Sequence, residues 1–243
     1  MTGRRLVVVG LLAFVVSALA FAPASLVRSF VVAVPGLTVS SLSGTVWRGR
    51  AALVHRGVPL GDLAFAFRPI DLLRLRIGYS IALAGEHADV SGRAAIGLRN
   101  FEVVAEGTVD FALAAADLAR YELSIPGTLT LAPLQLDGRF GAPLPNARGE
   151  VRWNGGTVRY ALGGTTRDVV LPSLAGFVDS SVGHPQVTVY AVDDPTPLLL
   201  AHIQPDGLAS IGITKQFTKL IGQPWVGGEE DHAVVLEVSE KLF

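Results

Sequence analysis

From Leu75 to Leu83 every odd-numbered residue is large and apolar, while the even positions carry Arg76, Gly78, Ser80 and Ala82. A period of two is that of a β-strand with one face buried, and it does not fit a helix of 3.6 residues per turn. The pattern returns at Phe101, Val103, Ala105, Gly107, Val109 and Phe111, set against Glu102, Glu106, Thr108 and Asp110. Leu63, Phe65 and Phe67 give a shorter version. The 27 Gly and 14 Pro are spread along the chain, as the turns between many short strands require. Beyond Val34 the chain therefore reads as a succession of strands.

Asn154-Gly155-Gly156 lies between two alternating segments, Glu150 to Trp153 and Val158 to Leu162. Residues tolerant of positive φ at that place predict a β-hairpin. Asp137-Gly138 and Asp206-Gly207 predict two further turns. Pro69 to Leu75, Phe111 to Tyr121 and Lys215 to Ile221 depart from the two-residue period and predict short helices. Gly44-Thr45-Val46-Trp47-Arg48-Gly49 is echoed by Gly149-Glu150-Val151-Arg152-Trp153-Asn154-Gly155. Two copies so short do not establish a repeat. Pro143-Leu144-Pro145 is where two halves of the domain would meet.

The first thirty residues are of another kind. Arg4 and Arg5 precede an apolar run from Leu6 to Ala22, broken only by Gly10 and Ser17. Extended to Arg28, this run predicts a single transmembrane anchor over residues 1–30. The positive-inside rule keeps Arg4 and Arg5 in the cytoplasm and sends residues 31–243 across the membrane. A cleavable signal peptide is the competing reading, since Ala18-Leu19-Ala20 and Ala22-Pro23-Ala24 both resemble small-x-small cleavage sites. Either reading gives an extracytoplasmic domain.

Charge and composition narrow the function. Residues 31–243 hold 17 basic and 21 acidic side chains, a balance unlike that of a nucleic-acid binder. The absence of cysteine excludes disulfide frameworks, thiolate metal sites and cysteine nucleophiles. A content 50 % hydrophobic and only 17 % charged is the opposite of a disordered chain.

The five His (His55, His87, His184, His202 and His232) include no pair spaced i, i+4, so no zincin motif is present. Glu86-His87-Ala88-Asp89 reads as an exposed strand end, and Glu229-Glu230-Asp231-His232 as a solvated acidic loop after Gly227-Gly228. Asp193-Asp194 before Pro195 reads as a turn. No nucleophile elbow, phosphate-binding loop or dinucleotide fingerprint occurs. Ser180-Ser181 and Gly183-His184 lack a base and an orienting partner. The expectation is a protein without catalytic site, cofactor or metal.

The run Leu42-Ser43-Gly44-Thr45-Val46-Trp47-Arg48-Gly49-Arg50-Ala51, soon after a single membrane segment, is followed by Leu60-Gly61-Asp62-Leu63 and Phe67-Arg68-Pro69. In this order of features the chain resembles the type II secretion system protein N family, also called general secretion pathway protein N. Arg148-Gly149-Glu150-Val151-Arg152-Trp153 resembles that family's second sheet segment. The resemblance implies an inner-membrane protein with a periplasmic β-rich domain, accompanying a machine that exports folded proteins. Its partners would be other secretion components, the inner-membrane ones first and the secretin among the candidates.

The predicted fold is mainly β: an N-terminal transmembrane helix, then a long twisted antiparallel sheet curling into an open half-barrel, with one to three short helices. Gly44, Thr45, Val46, Trp47 and Gly49 are the family motif and the candidate interaction surface. The two glycines let backbone turn or approach closely on either side of a bulky Trp47. That tryptophan reads either as a core residue between two tight bends or as a docking surface. The alternative function is a periplasmic lipid-binding or lipid-conducting module of AsmA-like character, suited by low charge and an alternating apolar face. That likeness is one of fold only.

Overall fold

The computed structural model describes residues 36–241 other than 163 and 182. The predicted anchor, with Arg4 and Arg5, lies outside the described residues. Among those described, no helix is long and apolar enough to cross a membrane.

Among the described residues sixteen strands follow one another: β1 (Leu37–Gly44), β2 (Arg48–His55), β3 (Val58–Phe67), β4 (Arg76–Ala84), β5 (Ala88–Gly97), β6 (Asn100–Asp110), β7 (Leu123–Ser124), β8 (Thr128–Arg139), β9 (Asn146–Trp153), β10 (Gly156–Leu162), β11 (Thr165–Leu171), β12 (Leu174–Asp179), β13 (Gln186–Ala191), β14 (Asp194–Ile203), β15 (Leu208–Thr214) and β16 (Val234–Lys241). Thirteen of them form one sheet in the order β1-β2-β3-β4-β5-β6-β8-β9-β12-β13-β14-β15-β16. Every pairing is antiparallel. Its edges β1 and β16 do not pair with each other, so the sheet is no closed barrel. The mainly-β prediction holds, as does the single long antiparallel sheet.

All three predicted helical stretches are present. Pro69–Arg74 is a 3-10 turn between β3 and β4. Phe111 to Tyr121 is a run of short turns and one α-helical turn. Lys215–Leu220 is an α-helix capped by the Thr214 hydroxyl, which accepts from the Phe217 N–H. The predicted turn at Asp206-Gly207 also forms, with the Gly207 N–H donating to Gln204 O.

Two local predictions are corrected. The strands around Asn154-Gly155-Gly156 are not a hairpin. β9 pairs with β8 and β12, while β10 leaves for a separate sheet ordered β11-β10-β7. Gly155 (φ +79°) and Gly156 (φ +147°) carry the chain out of the large sheet instead of reversing it. The Asn154 side chain accepts from the Thr128 N–H, a bond across strands and not within a turn. Asp137-Gly138 is not a turn either, because β8 runs through it to Arg139. A Cβ on residue 138 would lie 2.9 Å from the Phe101 ring, so this glycine makes room for a cross-strand aromatic. Pro143-Leu144-Pro145 lies in the connection between β8 and β9, which pair directly.

The core sits where the small sheet covers the large one. Trp153, Val158 and Leu171 are buried together, with Phe111, Leu123, Leu129 and Leu174 packed around them. The Trp153 indole N–H donates to Pro126 O at 2.8 Å, satisfying its one polar atom. Elsewhere the long sheet has two unlike faces. Leu63, Leu83 and Val90 lie abreast on one, and Asp62, Ala84 and Asp89 on the other. Few residues of the apolar face are fully buried.

Candidate functional site

The Gly44–Gly49 motif is the turn between β1 and β2. Gly44 has φ +98°, and a Cβ there would stand 2.4 Å from Arg48 O. A Cβ on Gly49 would stand 2.5 Å from the Phe65 ring and 2.6 Å from Ser43 O. Both positions therefore need glycine for backbone reasons. The Thr45 hydroxyl accepts from the N–H groups of Trp47 and Arg48 at 3.3 Å, which holds the turn closed. Trp47 stands edge-on to Phe67, with ring centroids 4.9 Å apart, and is 37 % exposed. It is a surface tryptophan braced by an aromatic neighbour, whereas its sequence echo Trp153 is buried. The likeness of the two segments thus does not extend to the setting of their tryptophans.

Beside this turn lies an open trough of about 990 Å³. Strand register explains it. Arg48 and Arg50 of β2 pair with Ala66 and Ala64 of β3. These pair with Ser80 and Ala82 of β4, which in turn pair with Arg93 and Ser91 of β5. A floor of alanine and serine therefore runs between two sets of long side chains. Three strand spacings separate β2 from β5, or about 14 Å. Glu106 and Gln135 close the far side.

The trough is electropositive. Among the described residues Arg48 and Arg50 have no ion-pair partner, and both are exposed. Arg93 lies 3.6 Å from Glu102, which also holds Arg76 at 2.9 Å. Arg68 lies 3.4 Å from Asp71. Guanidinium groups present forked donors that match carboxylates and phosphates. The arrangement can bind an extended anionic segment along the strands, and it offers no nucleophile with an oriented base.

The residues weighed for metal or acid–base chemistry are scattered. His87 Nδ1 is 3.9 Å from Asp110 Oδ2. The acidic loop folds back on the Lys215–Leu220 helix: Lys215 Nζ donates to the carbonyls of Gly227 and Glu229, and Lys219 pairs with Asp231. Ser180 bonds to the Ala147 backbone. Asp179 accepts from the Ser181 hydroxyl and backbone and from Gln186, and these bonds hold its carboxyl below the usual range. Among the described residues no three His, Asp or Glu are gathered as metal ligands would be.

The family model for type II secretion system protein N matches residues 35–218. The chain belongs to that family. The match begins just before β1 and ends within the Lys215–Leu220 helix, so the motif turn and the trough both lie inside it. Strand β16 and the acidic loop lie beyond it. No curated protein and no solved structure matches the chain. Family membership makes the protein a component of a type II secretion system.

The motif residues were legible in sequence, and the trough was not. Its signal was present at alternate positions of three strands, where Ala64, Ala66, Ser80, Ala82 and Ser91 are small. Only register shows that these lie abreast between Arg48, Arg50 and Arg93.

Proposed function

We propose that the protein is a non-enzymatic component of the type II secretion system, anchored in the inner membrane by residues 1–30 and working through its periplasmic sheet. It supports assembly or stability of the machine by docking other secretion components at the motif turn and the trough. The observation that carries this reading is the adjacency of two features. The family motif exposes Trp47, and its next residues, Arg48 and Arg50, line an electropositive trough with neutralising partners for neither among the described residues. An acidic extended segment of a partner fits that trough in charge and width. Desolvated aromatic and arginine contacts are the usual anchors of such interfaces.

The trough also bears on the lipid-module alternative. The trough is floored by alanine and serine and flanked by arginine, a lining suited to carboxylates and poorly suited to acyl chains.

Photo-crosslinking in cells from positions 45, 48 and 50, with mass spectrometry of the adducts, tests the proposal. Adducts with secretion components are expected from all three positions, and those from position 45 should be lost in the Arg48→Glu/Arg50→Glu double variant. Adducts from 48 and 50 dominated by phospholipid, or adducts from 45 with secretion components that survive charge reversal, would overturn docking at the trough.

A further inference from the structure

One end of the long sheet exposes both leucine and arginine. The β1–β2 turn, the Pro69–Arg74 turn, the β5–β6 turn at Leu98-Arg99 and the β8–β9 turn at Phe140 all lie at this end, as the register of β2 through β8 requires. Leu73, Leu75 and Leu98 are 81, 78 and 88 % exposed, and Ile70, Leu72 and Phe140 are also exposed. Such a cluster is more than the scattered single apolar residues of an ordinary surface.

These loops are built to stay put. Leu75 has φ +54° and its N–H donates to Leu72 O, which ends the turn and directs the chain into β4. The Phe140 N–H donates to Arg99 O, tying the β8–β9 turn to the β5–β6 turn. The Phe101 and Phe140 rings pack with centroids 5.8 Å apart, tilted at 41° to each other. Residues this exposed, on loops this constrained, present a fixed apolar tip.

Charge identifies what meets it. Between the β1–β2 turn and the β8–β9 turn the acids near this end are matched: Asp71 with Arg68, Glu102 with Arg76 and Arg93, Asp137 with Arg148. Arg74, Arg99 and Arg139 are exposed and have no ion-pair partner among the described residues. Each adjoins an exposed apolar residue: Leu73, Leu98 and Phe140 respectively. The opposite end carries Glu86, Asp110, Asp117 and Glu122, so this surplus is local to a domain that is acidic as a whole.

We infer that this end of the sheet, through Leu73, Leu75 and Leu98 ringed by Arg74, Arg99 and Arg139, seats on an anionic phospholipid bilayer. Leucine side chains enter the boundary between headgroups and acyl chains while guanidinium groups hold the phosphates. The tip lies opposite the place where residues before Leu37 join β1, so the contact is not a by-product of tethering there. Leu73, Leu75, Leu98, Arg74, Arg99 and Arg139 are not among the residues that line the trough.

The absence of cysteine makes the test clean. Full-length Leu73→Cys, Leu98→Cys and Glu86→Cys proteins are labelled with an environment-sensitive fluorophore. They are then reconstituted into vesicles of phosphatidylethanolamine with phosphatidylglycerol that carry nitroxide-labelled acyl chains. Quenching by about half or more is expected at 73 and 98, given penetration of roughly 5–10 Å, with little at 86. It should fall sharply in phosphatidylcholine vesicles and in the Arg74→Glu/Arg99→Glu/Arg139→Glu background. A water-like spectrum at 73 and 98 would overturn the inference. So would a blue shift there without lipid quenching, which would mean a protein occupant, or equal quenching at 86. Failure here leaves the crosslinks from positions 48 and 50 intact, and the two readings stand or fall separately.

Discussion

The carboxylate of Asp71 occupies the space in which residue 78 would carry a side chain. A Cβ built on Gly78 falls 2.0 Å from Asp71 Oδ2 and 2.6 Å from its Cγ. Asp71 is 9 % exposed, and Arg68 reaches it from the start of the same turn at 3.4 Å. The aspartate thus seats the Pro69–Arg74 turn against β4, and glycine at 78 is the condition for it. Gly78→Ala should cost about 1–3 kcal/mol, the usual penalty for overpacking. In an Asp71→Ala background the same change should cost less by about 0.5–3 kcal/mol, because the clashing group is gone. Urea unfolding midpoints of the four proteins check this, and additive effects would refute the contact.

Glycine substitutions at the β1–β2 and β2–β3 turns should separate two kinds of strain. Gly57 and Gly44 both have positive φ, +87° and +98°. A Cβ on Gly57 meets nothing within 4 Å, while one on Gly44 meets backbone at 2.4 Å. Gly57→Ala should therefore cost only the left-handed penalty, about 1–2 kcal/mol. Gly44→Ala must also displace the Arg48 carbonyl and should cost distinctly more. Gly49→Ala strikes both the Phe65 ring and Ser43 O and belongs with Gly44. Thermal unfolding of the three variants gives the order directly.

What was legible in sequence follows from what fixes each feature. Strand periodicity at 75–83 and 101–111 is local, and the face it assigns to Ile81 or Val103 is the one the register shows. The helical stretches were legible for the same reason. The failure at Asn154-Gly155-Gly156 has a non-local cause. Residues tolerant of positive φ serve a hairpin or an exit from the sheet equally well, and the choice is made by Asn154 bonding to Thr128 and Trp153 to Pro126. At Asp137-Gly138 the deciding neighbour, Phe101, lies on another strand. The trough likewise depends on which alanines lie abreast. Period two predicts faces, and register decides surfaces.

Asp179 supplies a pH dependence of known sign. The Ser181 hydroxyl, the Ser181 N–H and the Gln186 amide all donate to its carboxylate and lower its pKa in the folded protein. A depressed pKa stabilises the fold above the unfolded-state value. That contribution drains away as pH falls through the ordinary carboxylate range toward the lower folded value. Asp168, bonded by Arg159, and Asp194, bonded by the Thr196 N–H, act in the same direction. Carboxyl-carbon NMR should place the Asp179 midpoint below the usual aspartate range, and Ser181→Ala should move it upward. An unchanged midpoint in that variant would show that the hydroxyl bond does not carry the shift.

Trp47 and Trp153 sit at corresponding places in two similar segments, yet their substitutions should behave oppositely. Trp153 is 6 % exposed, packs against Phe111 with ring centroids 6.3 Å apart, and bonds through its indole to Pro126 O. Trp153→Phe keeps most of the packing but leaves that carbonyl without its donor, for a loss of about 1–3 kcal/mol. Trp153→Ala empties the core and should cost about 3–5 kcal/mol. Trp47 is half open and packs edge-on to Phe67, so Trp47→Ala forfeits about 0.5–1.5 kcal/mol of aromatic contact beyond its partial burial. Trp47→Ala should nonetheless diminish crosslinking from position 45 in cells, while Trp153→Phe should leave the crosslinks of the surviving folded protein unchanged. Equal destabilisation by the two alanine variants would place Trp47 in the core and remove it from the docking surface.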